Sequence, residues 1–311
     1  MNSSSYGHNV SNAVGQRDSY SAAVAKNVVV LTLGLTINYI NGSLIYTFRK
    51  HQIFYMNPRY ILFIHLVVND MIQLTTTIIL LVLSYTIYKI NFSLCCVLII
   101  FAVFTTINSP LNLAVMAVEC YIAICLPLQH AELCTIKRTY ILISFIWAVS
   151  AMTTLSDVFF MIVTEPIKLF FSTVVCIPEE IFRNPIIAKK KNVLYIIYLV
   201  GVWLTLLYSY FQIFFAAKAV KSANADAKKA RNTIVLHGFQ LLLCMLTYVF
   251  PNVLQFLLNL FPKNYLHVYF VCYIIIQVLP RFVSPIVYGI RDTTFRQHLR
   301  KHQLCITKQT R

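Results

Sequence analysis

Long stretches of apolar residues alternate along the chain with short polar segments. A helix needs about 20 predominantly apolar residues to cross a hydrocarbon core roughly 30 Å thick. Stretches of that length predict seven membrane-spanning helices, at residues 26–48, 58–84, 94–125, 139–163, 193–217, 233–260 and 265–290. The third is too long for one perpendicular crossing and is expected to tilt and protrude. The seventh contains Pro280 and Pro285, which can kink a membrane helix without ending it.

The composition favours the membrane and excludes an ordinary soluble domain. Of 311 residues, 59% are hydrophobic and 12% are charged, with a mean hydropathy of +0.71, whereas a typical globular domain has about 25% charged residues. The expected fold is therefore an all-α membrane protein, a bundle of seven transmembrane helices. The net charge of +16 is attributed to basic residues that set the orientation of the spans and attract anionic membrane lipids. A nucleic-acid partner is not expected.

Lysine and arginine are distributed unequally about the predicted spans, which sets the orientation. With the N-terminus outside, sixteen of the 26 fall in inner segments and nine in outer segments. This predicts an extracellular segment at 1–25, a seven-helix domain at 26–290 and a cytoplasmic segment at 291–311, in a protein of the plasma membrane. The polar start of the chain has no signal-peptide pattern, so the first span is expected to target the protein. Glycosylation sequons outside the membrane begin at Asn2, Asn9 and Asn91.

Three connecting segments carry further predictions. Residues 164–192 are expected to form a long outer loop, and residues 218–232 an alanine-rich basic connection that extends the fifth and sixth helices into the cytosol. Beyond the seventh span, Phe295 and Leu299 lie four residues apart among basic residues. That spacing predicts a short amphipathic helix along the inner leaflet.

Motifs in nearly every span resemble the signature positions of the rhodopsin-like G protein-coupled receptors, over almost the whole chain. They are Asn41, the run from Leu66 to Asp70, Cys95, Glu119-Cys120-Tyr121, Trp147 and Ser284-Pro285-Ile286-Val287-Tyr288. Two positions depart from the family pattern. Cys120 stands where the family has Arg, so either other inner-face groups couple this receptor or it signals poorly. Ser284 replaces the family's Asn.

Within that family the chain resembles an odorant receptor of the fish-type branch. The motifs are the run from Met116 to Leu128, the pair Ser209-Tyr210 and the run from Lys229 to His237. The resemblance implies a receptor for a small-molecule odorant that activates a heterotrimeric G protein of the stimulatory olfactory type, without a cofactor. The alternatives are another rhodopsin-like receptor, for a lipid or a peptide, and a transporter.

The resemblance also implies a disulfide between Cys95 and Cys176, for which the adjacent Cys96 is an alternative partner. Cys305 is either palmitoylated or unmodified. Buried free thiols are expected at Cys125, Cys244 and Cys272.

Arg281 places a positive charge within the seventh span, which costs about 2.5–3.5 kcal/mol on insertion scales. At 1.5 Å per residue, Asp70 lies roughly 18 Å from the inner end of the second span, and Arg281 lies roughly 15 Å from the inner end of the seventh. Their similar depth predicts an ion pair between them. In the family the second-span Asp commonly binds sodium, and here the pair is expected to take the place of that site. The alternative is that Arg281 extends to the lipid headgroups.

The resemblance places a ligand pocket between the outer halves of spans three, five, six and seven. Its candidate residues form a mostly apolar cavity with a few hydroxyl and amide groups, suited to a small organic molecule, and helix packing is the alternative role for each. The candidates are Ala102, Val103, Thr106, Ile107, Tyr195, Tyr198, Tyr248, Asn252 and Gln277. Aminergic receptors hold an Asp at the place of Ala102, so amine recognition by that route is not expected.

The inner face is expected, by resemblance, to meet the G protein or to take part in activation. The residues are Glu119, Cys120, Tyr121, Pro127, Leu128, Tyr210, Lys229, His237, Pro285 and Tyr288. His237 is either a proton sensor or a neutral side chain bonded near the inner end of helix six. The sequence contains no catalytic motif and no metal-ligand spacing, so an enzyme is not expected.

Overall fold

The computed structural model describes residues 19–87, 89–176, 181, 182, 184–219 and 265–283, with isolated positions between 239 and 261 and between 295 and 298. Within these residues, five helices are long and apolar enough to cross a membrane. In chain order the helices are α1 (Tyr20–Lys50), α2 (Pro58–Thr86), α3 (Phe92–Cys125), α4 (Pro127–Leu133), α5 (Ile136–Thr164), α6 (Ile167–Phe170), α7 (Pro185–Ala219) and α8 (Tyr265–Tyr273). The predicted first to fifth spans are thus α1, α2, α3, α5 and α7, and the sixth lies outside the described residues except at isolated positions.

Local sequence explains where the helices begin. The carboxamide oxygens of Asn57, Asn91 and Asn184 each accept a hydrogen bond from the backbone N–H two residues further on, at 2.9 to 3.0 Å. Such caps satisfy amide groups that have no partner within the helix. Pro58 and Pro185 occupy first helical positions, where the missing amide hydrogen is harmless.

The predicted loop at 164–192 is too long, and this boundary was wrong. The segment contains α6 and the strand β2 (Thr173–Val174), and its last residues already belong to α7, which begins at Pro185. Hydropathy placed the boundary after Lys189, Lys190 and Lys191 because they are charged. Lysine is nevertheless a good helix former, so the helix continues through all three.

Helix α3 is central and packs against α2, α5 and α7. With the two ends of the bundle named inner and outer after the predicted orientation, an inner cluster joins α1, α2, α3 and α7 through residues such as Leu44, Leu66, Met116 and Leu206. At the outer end, strand β1 (Ile90–Asn91) pairs antiparallel with β2. This two-stranded ribbon fixes the loop after α6 to the start of α3.

The seventh span changes its helical form near its middle. After α8, residues Ile274–Val278 form a π-helical turn, and the backbone stays helical to residue 283. The turn ends two residues before Pro280, which has no amide hydrogen to donate and whose ring would crowd the carbonyl of Ile276 in a regular helix. The widened turn brings the chain past that position without ending the helix.

Phe295, expected on an interfacial helix, is buried against the protein. Its ring centroid lies 4.9 Å from that of Phe54 and 5.8 Å from that of Phe63. His298 packs on His51 with ring centroids 4.5 Å apart. The described part of the tail therefore packs against the segment between α1 and α2 and against α2 itself.

Candidate functional site: buried polar groups of the helix bundle

The outer end of the bundle is closed by the disulfide predicted between Cys95 and Cys176, which the structure confirms. The two Cα atoms lie 5.5 Å apart, within the range that the bond requires. Cys96 stays a free, buried thiol, 3.9 Å from the sulfur of Met161. Cys272 is a buried free thiol as predicted, whereas Cys125 is free but only partly buried, so the expected burial of Cys125 was wrong. Cys244 and Cys305 lie outside the described residues.

At mid-bundle, Arg281 and Asp70 meet at the depth from which their pairing was predicted. The guanidinium Nη1 lies 3.3 Å from Asp70 Oδ1, and both side chains are buried. Ser109 Oγ donates to the same carboxylate oxygen at 3.3 Å. Removing either charged partner would leave the other in a low-dielectric interior, which is strongly destabilising.

This ion pair is one end of a longer polar network. Asn69 donates to Ser109 Oγ at 2.9 Å, and Asn108 donates to Asn69 Oδ1 at 3.4 Å. Ser150 then donates to Asn108 Oδ1 at 2.6 Å. Helices α2, α3 and α5 and the seventh span are therefore joined by consecutive hydrogen bonds through the apolar core.

The polar contacts described for two candidate pocket residues lead to different helices. Thr106 of α3 accepts from Gln73 of α2 at 2.7 Å, whereas Tyr198 of α7 shares a hydrogen bond of 2.9 Å with Thr153 of α5. Ile107 is buried. Ala102, Val103, Tyr195 and Gln277 are partly exposed, and Tyr248 and Asn252 lie outside the described residues.

A second charged pair in the membrane was missed by the sequence interpretation, which recognised only one. Lys190 Nζ of α7 lies 2.7 Å from Asp157 Oδ1 of α5 and also contacts Ser156 Oγ. Asp157 was visible as a carboxylate within the predicted span 139–163. Its partner was overlooked because Lys190 had been assigned to the outer loop.

Lys26, counted among the outer cations, is buried within α1. Its ammonium lies 5.2 Å from the ring centroid of Tyr85 and 5.6 Å from that of Phe270. These cation–π contacts connect α1 with α2 and α8.

At the inner end of α3, the carboxylate of Glu119 contacts one guanidinium group and one imidazole ring. Arg59 Nε lies 3.2 Å from its Oε2, and His130 Nε2 lies 3.2 Å from its Oε1. The neighbouring Cys120, in the place of the family's Arg, is buried against Ile213. The carboxylate is thus paired with α2 and α4 through residues that the sequence interpretation did not single out.

Other inner-face candidates are distributed around this cluster. Tyr121 packs on Tyr208 with ring centroids 5.7 Å apart, and Tyr210 stacks on Phe214. Pro127 begins α4, and the side chain of Leu128 is 96% exposed. The remaining candidates lie outside the described residues: Lys229, His237, Pro285 and Tyr288.

Comparison with known proteins fits this architecture. The family model of the 7 transmembrane receptors of the rhodopsin family matches residues 40–288. Odorant receptor 131-2 of Danio rerio is 30% identical over 286 residues, which cover 90% of this chain and 86% of that protein. This chain belongs to the rhodopsin family of seven-transmembrane receptors.

Proposed function

We propose that this chain is an odorant receptor of the plasma membrane, with its N-terminus outside the cell. It binds a small organic molecule in the outer half of the bundle and activates a G protein of the stimulatory olfactory type at its inner face. The observation that carries this proposal is the similarity to Odorant receptor 131-2, which extends over 90% of the chain.

Activation requires that the ligand bind one conformation better than another. In this proposal the odorant favours the state in which the inner end of the sixth helix has moved away from the bundle. Changing a 1:99 equilibrium to 99:1 takes about 5.5 kcal/mol of differential affinity. A weakly bound odorant therefore acts as a partial agonist.

The inner face couples without the family's Arg. Cys120 carries no charge, and its buried side chain supports a packing role in place of an ionic one. The pairing of Glu119 with Arg59 and His130 supports the proposal that the start of α4 stays attached to α2 and α3. Leu128, exposed on α4, would then border the G protein.

The Asp70–Arg281 pair takes the place of the sodium site common in the family. The guanidinium neutralises the carboxylate at a distance of 3.3 Å, and its positive charge repels a cation from the same position. In this proposal sodium does not regulate the receptor.

A ligand panel tests the receptor function. Cells that co-express this chain and a stimulatory olfactory G protein are exposed to odorants while cyclic AMP is recorded. The expected result is a rise that appears with at least one odorant and disappears when the G protein is omitted. Odorant-evoked ion current or solute flux without the G protein would instead indicate a transporter or channel.

The orientation is tested separately with an epitope tag at the N-terminus. Antibody added to intact cells is expected to stain this tag, whereas a tag at the C-terminus is expected to stain only after permeabilisation. Staining of the C-terminal tag on intact cells would contradict the proposed topology.

A further inference from the structure

Helix α4 is attached to the bundle without an apolar core of its own. None of its seven residues is buried, and the side chain of Leu128 is 96% exposed. A helix this short is marginal in water unless contacts outside it hold it in place. The position of α4 therefore depends on the polar contacts that join it to its neighbours.

The described side-chain contacts between α4 and other elements lie at two places. Near the end of α4, the guanidinium of Arg138, which belongs to α5, donates to the backbone carbonyl of Glu132 at 2.8 Å. In the middle of the helix, His130 Nε2 lies 3.2 Å from Glu119 Oε1 of α3. His130 is partly buried, whereas the other six residues of α4 are exposed. The first contact joins α4 to the helix that follows it in the chain, and the second joins it to the centre of the bundle.

The carboxylate that receives His130 also has a partner whose charge is constant. Glu119 is 6% exposed, and its Oε2 lies 3.2 Å from Nε of Arg59 on α2. A guanidinium stays protonated in proteins, whereas an imidazole changes its charge between about pH 5 and 8. The connection from α3 to α2 is therefore permanent, and the connection from α3 to α4 depends on pH.

Protonation of the imidazole changes the strength of this contact and not its geometry. An ionised carboxylate only accepts hydrogen bonds, so Nε2 of His130 donates in both states of the ring. The bond from the protonated ring is charge-assisted and roughly twice as strong. Arg59 already neutralises the carboxylate, and the side chain of His130 is 29% exposed, so the difference is moderate. We expect about a threefold change in the attachment of α4, as for a partly exposed ion pair.

The other described ionisable groups around the contact keep one charge in this pH range. They are Arg59 and Tyr60 of α2, Cys120 of α3, Cys134 at the end of α4 and Arg138 of α5. Phenols and thiols ordinarily lose their proton above the range in which imidazole titrates. Burial and then Glu119 raise the pKa of the Cys134 thiol further, against a smaller opposing effect of Arg138. Among the described residues, the charge that changes here near neutral pH is thus that of His130.

We propose that His130 positions α4 for the G protein and makes coupling depend on cytosolic pH. The protonated ring holds α4 against α3, so that the exposed Leu128 is presented in a fixed place. This stabilisation is complete on the acidic side of the range and is lost as the pH rises and the proton leaves. The coupling part of the inference rests on the proposed receptor function, whereas the attachment of α4 does not.

Hydrogen–deuterium exchange tests the attachment without a G protein or an odorant. The purified full-length receptor is placed in phosphatidylcholine nanodiscs, and the backbone amides of residues 128–134 are followed at about pH 6 and pH 8, on either side of the imidazole titration. Each rate is divided by the intrinsic exchange rate at the same pH. Protection of the wild type is expected to be about threefold greater at the lower pH.

Two substitutions of His130 have opposite expected results. His130→Gln keeps a donor without a charge and should show the lower protection at both pH values. His130→Arg keeps a permanent charge and should show the higher protection at both, so a general loss of folding cannot imitate the pair. His267→Gln, which removes an exposed histidine at the start of α8, is the control and should retain the pH dependence of the wild type.

The coupling part is measured by adding a purified stimulatory G protein and recording GTPγS uptake, divided by the uptake of the G protein alone at the same pH. Uptake with the wild type should decrease as the pH rises, and uptake with His130→Arg should not. Equal protection of the wild type at both pH values, or pH-dependent protection in His130→Gln, would overturn the inference. Uptake that is independent of pH while protection changes would overturn its coupling part. If protection changes as expected but no uptake occurs with or without odorants, the attachment stands and the receptor function proposed above fails.

Discussion

Two ion pairs among the described residues of the helix bundle differ in how they are enclosed. Asp70 and Arg281 are both buried and belong to a network that continues through Ser109 and Asn69. Asp157 is equally buried, but Lys190 is 38% exposed. The first pair is surrounded by its own protein on every side, which suits a fixed connection between helices. The second is partly exposed on its cationic side, so its lysine is enclosed less completely than Arg281.

The largest expected effect comes from breaking the enclosed pair on one side. Arg281→Gln leaves Asp70 buried without its cation, a change that costs about 3–5 kcal/mol. Most of the receptor should fail to reach the cell surface, as measured by flow cytometry of an N-terminal tag. Asp70→Asn/Arg281→Gln should restore much of the surface signal, since it leaves no unpaired charge.

The matched control for this prediction is Arg49→Gln, which removes an exposed arginine at the inner end of α1. It should leave surface delivery unchanged. If Arg281→Gln reaches the surface at the wild-type level, the ion pair does not connect the helices as described.

The outer disulfide ranks next. Cys176→Ser removes the bond to Cys95, and losing a native disulfide typically costs about 2–5 kcal/mol. Surface delivery of this variant should be lost, whereas Cys96→Ser, which removes a free thiol, should be delivered. Normal trafficking of Cys176→Ser would show that the bond is dispensable.

Sodium distinguishes a neutralised carboxylate from a free one. The thermal midpoint of the wild type should be the same in sodium chloride and in N-methyl-D-glucamine chloride, because Arg281 already pairs with Asp70. The fraction of Arg281→Gln that folds should gain sodium-dependent stabilisation, since a ligand that binds only the folded state raises its stability. Sodium-dependent stability in the wild type would contradict the pairing.

The smallest expected effect is at the hydrogen bond between Thr153 and Tyr198, which lies inward of the Asp157–Lys190 pair. Thr153→Val removes the hydroxyl that bonds with Tyr198, at a cost of about 1 kcal/mol. A small decrease in thermal midpoint should follow. Thr164→Val, whose described bond is to a carbonyl of its own helix, should decrease it less, and a larger decrease for Thr164→Val would argue against the contact.

Sequence reasoning found the enclosed pair because depth along a helix follows from counting residues. Asp70 and Arg281 each lie well inside a span, and a charge there requires a partner. The same rule applied to Asp157, but the fifth span was predicted to begin only at residue 193, so Lys190 was assigned to the outer loop and was not considered as the partner. The disulfide followed from the family resemblance, not from counting.

The direction of side chains about the helix axis was the least predictable feature. Tyr198 and Thr106 were both expected to line one pocket, yet their described bonds lead to α5 and α2. The rotation of a helix about its axis depends on how the neighbouring helices pack. Hydrophobic periodicity does not predict that rotation in a span where nearly all positions are apolar. The π-helical turn before Pro280 adds a further rotation that no motif indicated.

One paired measurement tests the difference between the two ion pairs most directly. The single variants Arg281→Gln and Lys190→Gln are purified in nanodiscs, and the thermal midpoint of each is recorded. Both remove the cation that pairs with a buried carboxylate, but Arg281 is buried with Asp70, whereas the side chain of Lys190 is partly exposed. Arg281→Gln should therefore lower the thermal midpoint more than Lys190→Gln. An equal decrease in both variants, or a larger one for Lys190→Gln, would contradict the difference in enclosure.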